Sequence, residues 1–389
     1  MKIKNQKSKT LQSPAWEKTV KVEENSNYWN GEPILKKGKP VSNKKPVVVE
    51  LFCGCGGTSL GFEMAGFSIG LGCDIHQSSI HTFQYNHKHT ATILGDVRKV
   101  KPSQIKKILD GRTIDVLIGG VPCQGFSLNN RKRHEQDDRN LLYREFVRFA
   151  KFLKPRAIVL ENVTGMKSTG DFVSVIENEL SKAGKMKVKS QVLYAPNYGV
   201  PQKRQRLFFI GVQNHEFDFS KIKKTHGEER KRAHVTIKEA IGDLPKLKEN
   251  EAKDKYRKPP FSDFQKWARK KNNKIITNHQ APNHPIPTIE RIRNTKQGAP
   301  MYPRFKQRIR LAWNDLSPTQ VSGGIRPQFQ LGHPSDNRGL TIRERCRLQS
   351  FPDYFEIKGG MVQARIQTGN AVPPLMAKAI GLAIKKYLI

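Results

Sequence analysis

The sequence predicts an α/β protein, a largely parallel sheet layered with helices and joined to a second, smaller, loop-rich region. Three observations carry this. Short apolar runs rich in Val, Ile and Leu alternate with stretches of helical periodicity from residue 47 to about 211. The first run ends in a glycine cluster, Cys53-Gly-Cys-Gly-Gly57. From about 213 the alternation gives way to basic, proline-bearing segments.

The totals narrow the class of partner. Lys and Arg number 70 against 34 Asp and Glu, a net charge of +36 over 389 residues. Such an excess points first to a polyanion. No apolar run approaches the ~20 residues that span a bilayer, and the lysine-rich start lacks the apolar stretch of a secretory signal. Five cysteines (53, 55, 73, 123 and 346) without a CxxC pair argue against a disulfide scaffold or a zinc site. The expectation is a reduced, cytoplasmic, nucleic-acid-facing protein.

Residues 1–46 hold eleven Lys and four Glu with little apolar periodicity. They read as a basic flexible tail, with Trp16, Tyr28 and Trp29 as local anchors. Residues 47–52 form a strand by β-branched enrichment. The glycine turn follows, and Thr58 or Ser59 is placed to cap a helix running to Ala65. Strand, glycine turn and helix open a nucleotide-binding unit, in which Gly54, Gly56 and Gly57 let a ligand approach the backbone. A second strand ends at Asp74, seventeen residues beyond Gly57, where an acid suits the two hydroxyls of a ribose. Dehydrogenases share this pair of signals. After a helix over 78–86, a third strand ends near Asp96, which can accept an adenine amino group or cap a helix.

The next run, Asp115-Val-Leu-Ile-Gly-Gly-Val-Pro-Cys-Gln-Gly-Phe-Ser127, is a buried strand stopped by two glycines and stiffened by Pro122. Cys123 falls just past the carboxyl end of that strand, where open α/β sheets bind ligands. There it is either a nucleophile or a small packing thiol. A polar loop covers 129–140, a helix 142–153, and a strand 157–161 that closes on Glu161. Thiol and carboxylate thus face one crevice, which favours the reactive reading. A helix over 171–183 and strands at 187–193 and 207–211 complete the sheet. Between these strands Arg204 and Arg206 alternate onto one face of an extended segment, suited to a phosphate or carboxylate. Beyond 213, His279, His284 and His333 show no metal-ligand spacing, and no metal is expected. A helix capped by Thr341 returns at 340–349, and a last helix follows residue 374.

Six ordered motifs resemble the cytosine-C5 DNA methyltransferase family of bacterial restriction–modification systems. They are Phe52-x-Gly-x-Gly-Gly57, Gly120-Val-Pro-Cys-Gln124, Glu161-Asn-Val163, Gln202-x-Arg-x-Arg206, Arg343-Glu-x-x-Arg-Leu-Gln349 and Gly369-Asn-Ala-Val-Pro373. Asp74 departs from the longer Glu common there, and Asn140 from the usual Gly. The resemblance implies a Rossmann-like S-adenosylmethionine-dependent methyltransferase sheet with a loop-rich target-recognition domain. It implies S-adenosylmethionine held by Phe52, the three glycines, Asp74, Ile75, Asp96, Val97, Gly120, Pro122, Leu142, Asn370 and Val372. It further implies Cys123 as nucleophile on a flipped-out cytosine in double-stranded DNA, Glu161 and Arg206 on the base, and Arg204 supporting them. Gln124, Ser127, Arg291, Arg293, Arg310 and Arg326 are the candidate DNA contacts. A tRNA-modifying branch carries a Cys-Phe-Thr element that is absent here, and the long stretch between Gly211 and Ile342 favours DNA. The domains expected are a tail (1–46), a catalytic and cofactor domain (47–232), a recognition domain with hinge (233–361) and a returning C-terminal segment (362–389). A monomer, with a restriction endonuclease as functional partner, completes the expectation.

Overall fold

A computed structural model describes residues 27–39, 44–122, 142–168, 171–270, 275–322 and 330–388. The central sheet has eight strands in the order β1-β4-β3-β2-β5-β6-β9-β7. These are β1 (Ile34–Lys36), β2 (Val47–Leu51), β3 (Ser68–Asp74), β4 (Ala91–Leu94), β5 (Val116–Gly120), β6 (Ala157–Asn162), β7 (Val188–Tyr194) and β9 (Gln205–Val212). The two-residue β8 (Gln202–Lys203) lies outside this sheet. Strands β4, β3, β2, β5 and β6 run parallel, whereas β9 is antiparallel to β6 and β7 antiparallel to β9.

Alternate residues of each strand feed opposite faces, as the two-residue period of a strand requires. Val48, Ile118, Val159 and Phe208 enter one core, while Val49, Leu117, Ile158 and Phe209 enter the other. Helix α1 (Gly57–Met64) and the last helix, α11 (Pro374–Leu388), cover the first face. Their backbones come so close that a side chain added to Gly61 would stand 2.4 Å from Ala377 Cβ. Helices α3 (Pro102–Ile108), α4 (Leu142–Leu153) and α5 (Phe172–Gly184) cover the second face, and α2 (Gln77–Asn86) links β3 to β4.

One relay ties the two ends of this layer together. Val47 N–H donates to Asp115, Arg156 pairs with Asp115 at 2.9 Å, and the other arm of Arg156 reaches Leu388 O at 2.6 Å.

Three local expectations need correction. Gly56, at φ 94°, rather than Thr58 or Ser59, caps α1. Ser59 instead turns its N–H and hydroxyl onto the buried Glu50 carboxylate. The basic leader is not wholly a tail: residues 34–36 add an antiparallel edge strand to β4. Residues 361–370, for which the sequence offered no element, are themselves helical (α10, Met361–Asn370). Trp16 lies outside the described residues.

Residues 235–348 build a core of their own around Val235, Ile237, Ile241, Phe264, Ile276, Leu311, Leu331 and Leu348. Its helices are short: α6 (Ile237–Ile241), α7 (Asp263–Arg269) and α8 (Ile286–Asn294). Strands β10 (Ile309–Arg310), β11 (Ser317–Pro318) and β12 (Leu331–Gly332) have two residues each. Helix α9 (Ile342–Leu348) starts at Thr341 with a capping box closed by Glu344. It is buried along its length. Arg347 explains how so polar a helix can be interior: it pairs with Asp243 at 2.9 Å and Asp353 at 2.6 Å, and donates to Ala240 O. His279, His284 and His333 use ring nitrogens on Pro245 O, Gly339 N and Asp336 N, so all three tie neighbouring backbone.

Candidate active site

Five adjacent parallel strands, β4-β3-β2-β5-β6, deliver the predicted residues to one edge. β2 ends at Leu51 and runs into Phe52, whose φ of 56° is unusual for a side chain of that size. The chain turns there and Cys53 N–H donates to Cys73 O, so the glycine turn lies against the end of β3. The three glycines divide their work. Gly54 has open space where a side chain would be, the condition a ligand needs to approach backbone. Gly56 is hemmed by His87, and a Cβ on Gly57 would meet Val372 O at 2.4 Å. The last two therefore serve close packing, not ligand access.

Asp74 closes β3 and is tied to the turn itself. One carboxylate oxygen accepts Gly54 N–H at 2.8 Å and the other His76 N–H at 2.8 Å. Burial pushes its pKa above the ordinary carboxylate value, against the pull of those two bonds. Each oxygen keeps a lone pair for a hydroxyl. Beyond β4, Asp96 takes a bidentate grip from Arg98 at 2.5–3.0 Å and accepts Arg98 N–H, so it caps its own turn. Burial opposes ionisation of Asp96, but Arg98 outweighs it and the pKa falls. Ile75 and Val97 follow these two acids along the chain, Val97 buried and Ile75 half-buried. This edge fits a nucleoside-bearing cofactor: one open glycine, two acids, and apolar side chains between them.

Gly120 ends β5 opposite Glu161 on β6. A Cβ there would stand 3.6 Å from Phe52 O and 3.8 Å from Glu161 Oε2, which joins the cofactor edge to the carboxylate. Pro122 follows, exposed. Cys123, Gln124 and Ser127 come next in the chain and lie outside the described residues, as does Arg326. Glu161 is paired: Arg206 Nε sits 2.8 Å from its Oε1, with both side chains largely buried. Burial pulls Arg206 below its usual pKa and Glu161 partly restores it. Arg206 can reach Glu161 because β9 runs antiparallel to β6, bringing its first residues beside the last of β6.

Arg204, fully buried, makes no contact of this kind. It donates to Gln320 O at 3.0 Å, Gly369 O at 3.1 Å and Asn370 O at 3.4 Å. It pins β8 to the recognition region and to the end of α10. Burial and the nearby Arg206 charge pull its pKa down, with Glu161 pulling the other way, and the intrinsic basicity of a guanidinium keeps it charged. Asn370 is exposed at the end of α10, Val372 is buried against Gly57, and Leu142 packs its half-buried side chain on the second core.

Of the predicted DNA contacts, Arg291, Arg293 and Arg310 are described, and they lie together at the end of α8. Arg291 and Arg293 are exposed on α8, and Arg291 lies over the Tyr302 ring at 4.7 Å. Arg310 has a different task. Its guanidinium donates to Ile292, Arg293 and Thr295 carbonyls at the end of α8, and to His333 and Ser335. Those bonds occupy the fork that would read a base, so its structural role corrects the sequence expectation. Sequence reasoning passed over Glu50 and Gln320, and gave Gln202 no role beyond its place in a motif. A charged residue inside an all-apolar strand was the available signal for Glu50. Gln202 joins Leu348 O to Gln320 N, and nothing in sequence marks that join.

Residues 47–386 match the family described as C-5 cytosine-specific DNA methylase. The chain is 34% identical over 352 residues to the type II methyltransferase M1.HphI of Haemophilus parahaemolyticus, covering 87% of this chain and 86% of that one. It is 33% identical over 372 residues to the type II methyltransferase M.DdeI of Desulfomicrobium norvegicum, covering 87% and 88%. Among solved structures, a prophage-encoded Escherichia coli protein described as a DNA modification methyltransferase superposes with a TM-score of 0.73 at 28% identity. That match covers 88% of this chain and 99% of the other. A Spodoptera frugiperda DNMT2 structure gives 0.59 at 14% identity, covering 87% and 99%, which shows a shared fold.

Proposed function

The chain belongs to the C-5 cytosine-specific DNA methylases, and on that premise we propose that it methylates a flipped-out cytosine through a covalent bond to Cys123. Its substrate is DNA and its methyl donor S-adenosylmethionine. The cofactor supplies an electrophilic methyl group. Phe52, Gly54, Asp74, Ile75, Asp96 and Val97 would hold its nucleoside, and Asn370 and Val372 its amino-acid end.

The observation that carries the proposal is the Glu161–Arg206 pair beside the strand end from which Cys123 follows. Cytosine C5 is a poor nucleophile on its own. Addition of the Cys123 thiolate to C6 moves the C5–C6 electron pair toward C5 and the ring nitrogen. Glu161 would hold N3 and the exocyclic amine, offsetting that charge, and Arg206 would orient both carboxylate and base. Loss of the C5 proton and expulsion of the Cys123 sulfur then restore the ring. The other four cysteines support the assignment by default. All are buried, and burial pushes each thiol above its ordinary value, so none offers a thiolate near neutrality.

A stacked base is out of reach of such a site, so the target must leave the helix at a cost of a few kcal/mol. The charge excess would offset that cost through phosphate contacts. Residues 233–361 would read the sequence, with 362–389 completing the cofactor domain. Within the reading region a hairpin stands out: Met301 N–H bonds Arg308 O and Arg310 N–H bonds Ala299 O. Its tip presents Arg304, Lys306 and Gln307 to solvent. Arg304 and Gln307 have the side chains that pair bidentately with guanine and adenine edges. Pairing with a restriction endonuclease that this methylation blocks, action as a monomer, and a cytoplasmic, nucleoid-associated site complete the proposal. Among the described residues no helix is long and apolar enough to cross a membrane.

The test is an adduct. With cofactor, the protein should form a denaturant-stable complex with DNA carrying 5-fluorocytosine at its site, because fluorine blocks the final proton loss. Cys123→Ala should bind DNA and form none. An undiminished adduct in that variant would overturn the assignment. Bisulfite sequencing of plasmid from expressing cells gives the site itself.

A further inference from the structure

We infer that residues 27–33 form a strap that sets the spacing of the two acid-bearing turns and so belongs to the adenosine subsite. The inference rests on the cofactor placement proposed above. The strap lies before residue 47, where the family match begins. It bridges the Asp74 turn and the Asp96 turn.

At the first turn it holds every residue from Ile75 to Ser78. Trp29 N–H donates to Ile75 O at 2.9 Å and Gln77 N–H to Asn27 O at 2.9 Å. The Tyr28 ring stands edge-on to His76, centroids 5.6 Å apart. Ser78 donates its hydroxyl to Asn27 Oδ1 at 2.5 Å. The first turn of α2 therefore borrows partners for Gln77 and Ser78 from the leader, while His76 accepts Ser79 N–H. At the second turn Lys99 Nζ donates to Asn30 O at 3.4 Å and Gly31 O at 3.5 Å, and sits 3.7 Å from Glu32. Pro33 presses so closely on Gly95 that a Cβ there would meet it at 2.9 Å. The chain then runs straight into β1, paired with β4 from Ile34 to Lys36.

The strap itself is stiff for so polar a stretch. The Trp29 indole folds back over Gly31, 2.8 Å from where a side chain would begin, and Nε1 donates to Glu32 O at 2.7 Å. An edge strand alone would need only residues 34–36. The contacts to Ile75, Gln77, Ser78 and Lys99 do nothing for the sheet. They fix the two loops whose acids and apolar residues are placed to grip a nucleoside, and preorganisation of that kind raises affinity by removing ordering costs.

Three proteins separate the possibilities: the full chain, a chain lacking 1–26, and a chain lacking 1–33. The probe is S-adenosylhomocysteine, titrated by calorimetry in the absence of DNA. Loss of 1–26 should leave its Kd within twofold. Loss of 1–33 should raise the Kd tenfold or more. In turnover assays it should raise KM for S-adenosylmethionine similarly, with kcat at saturating cofactor and KM for DNA within twofold of the 1–26 deletion. In the full chain, the double substitution Asn27→Ala and Trp29→Ala should shift Kd in the same direction with a melting temperature near the parent's. Equal Kd values for the two truncations would overturn the inference, and so would parallel losses in kcat, DNA binding and melting temperature. Asp74→Ala distinguishes failure of the strap from failure of the site. If that variant loses affinity while the strap deletion does not, the strap alone is wrong. If neither loses affinity, the cofactor placement falls with it.

Discussion

Replacing Arg347 by Leu should cost about 3 kcal/mol of stability, and the figure follows from what stays behind. The side chain is fully buried, forks onto Asp353, pairs with Asp243 and donates to Ala240 O. Burial alone would lower its pKa, but the two carboxylates more than offset this and hold the guanidinium above its ordinary value. Removing one member of a buried ion pair typically costs about 3–5 kcal/mol, because the other charge is left without compensation. Here two carboxylates lose a partner, yet neither is abandoned. Asp243 keeps Arg269, and Asp353 keeps Tyr256 and a more distant Arg343 at 3.8 Å. Those survivors place the expected loss at the lower end of the range. Urea unfolding followed by tryptophan emission would measure it, since Trp267 and Trp313 pack on the same core. Arg347→Lys should recover less than half, because one ammonium cannot reproduce the fork. Adding Asp243→Asn and Asp353→Asn to Arg347→Leu should restore a large part. A loss under about 1 kcal/mol for Arg347→Leu would refute the reasoning.

Three further outcomes are expected. Glu50 has its pKa pushed up to about 7, by burial first, with Ser59, Thr58 and His87 pulling the other way. Its folded value exceeds its unfolded one, so its contribution is intact below about pH 4.5 and lost as pH rises through 7. Glu50→Gln should therefore gain on the parent by about 2–3 kcal/mol between pH 5 and 8, read from urea midpoints at each pH. Gly57→Ala should lower stability by about 1–3 kcal/mol, since its Cβ would meet the Val372 carbonyl at 2.4 Å; an unchanged melting temperature would contradict this. Arg310→Ala should destabilise by about 2 kcal/mol through its lost bonds to carbonyls, while methylation of a library randomised around the site keeps its order of preference.

Much of the sheet was legible because its central strands are buried on both sides and read as short apolar runs. Residues 116–118 and 157–160 are of this kind, and so two strand ends, one leading to Cys123 and one carrying Glu161, could be placed on one crevice. Glu161 and Arg206 were legible as motif residues, but their pairing depended on β9 reversing direction, which apolar periodicity does not encode. The leader was read in part, with Tyr28 and Trp29 taken as anchors, but its edge strand was missed because much of its anchoring is through backbone and through polar groups such as Asn27 and its partner Ser78. A composition of Lys, Asn and Glu looks solvated whichever way those bonds point. Arg310 misled for a related reason. An arginine that satisfies the end of a helix and one that reads a guanine have the same side chain, and only the positions of five carbonyls tell them apart. Glycines carried a mixed signal, since Gly54 is open to a ligand and Gly57 is filled by a neighbouring carbonyl.

The relay from Val47 through Asp115 and Arg156 to Leu388 has a consequence for how the gene could be cut and rejoined. The first strand of the matched region and its last helix terminate on the same ion pair, so a short linker could join 388 to 47. New ends could then be opened elsewhere, for instance in the mostly exposed stretch 248–262, giving up the β1–β4 pair and the 27–33 strap but no other pair of neighbouring strands in the sheet. Segment order along the gene is to that extent a historical accident rather than a requirement of the fold. A rearranged gene that began within the recognition region, ran through the last helix and then the cofactor turn, and ended near residue 248 would still encode Glu161 beside Arg206.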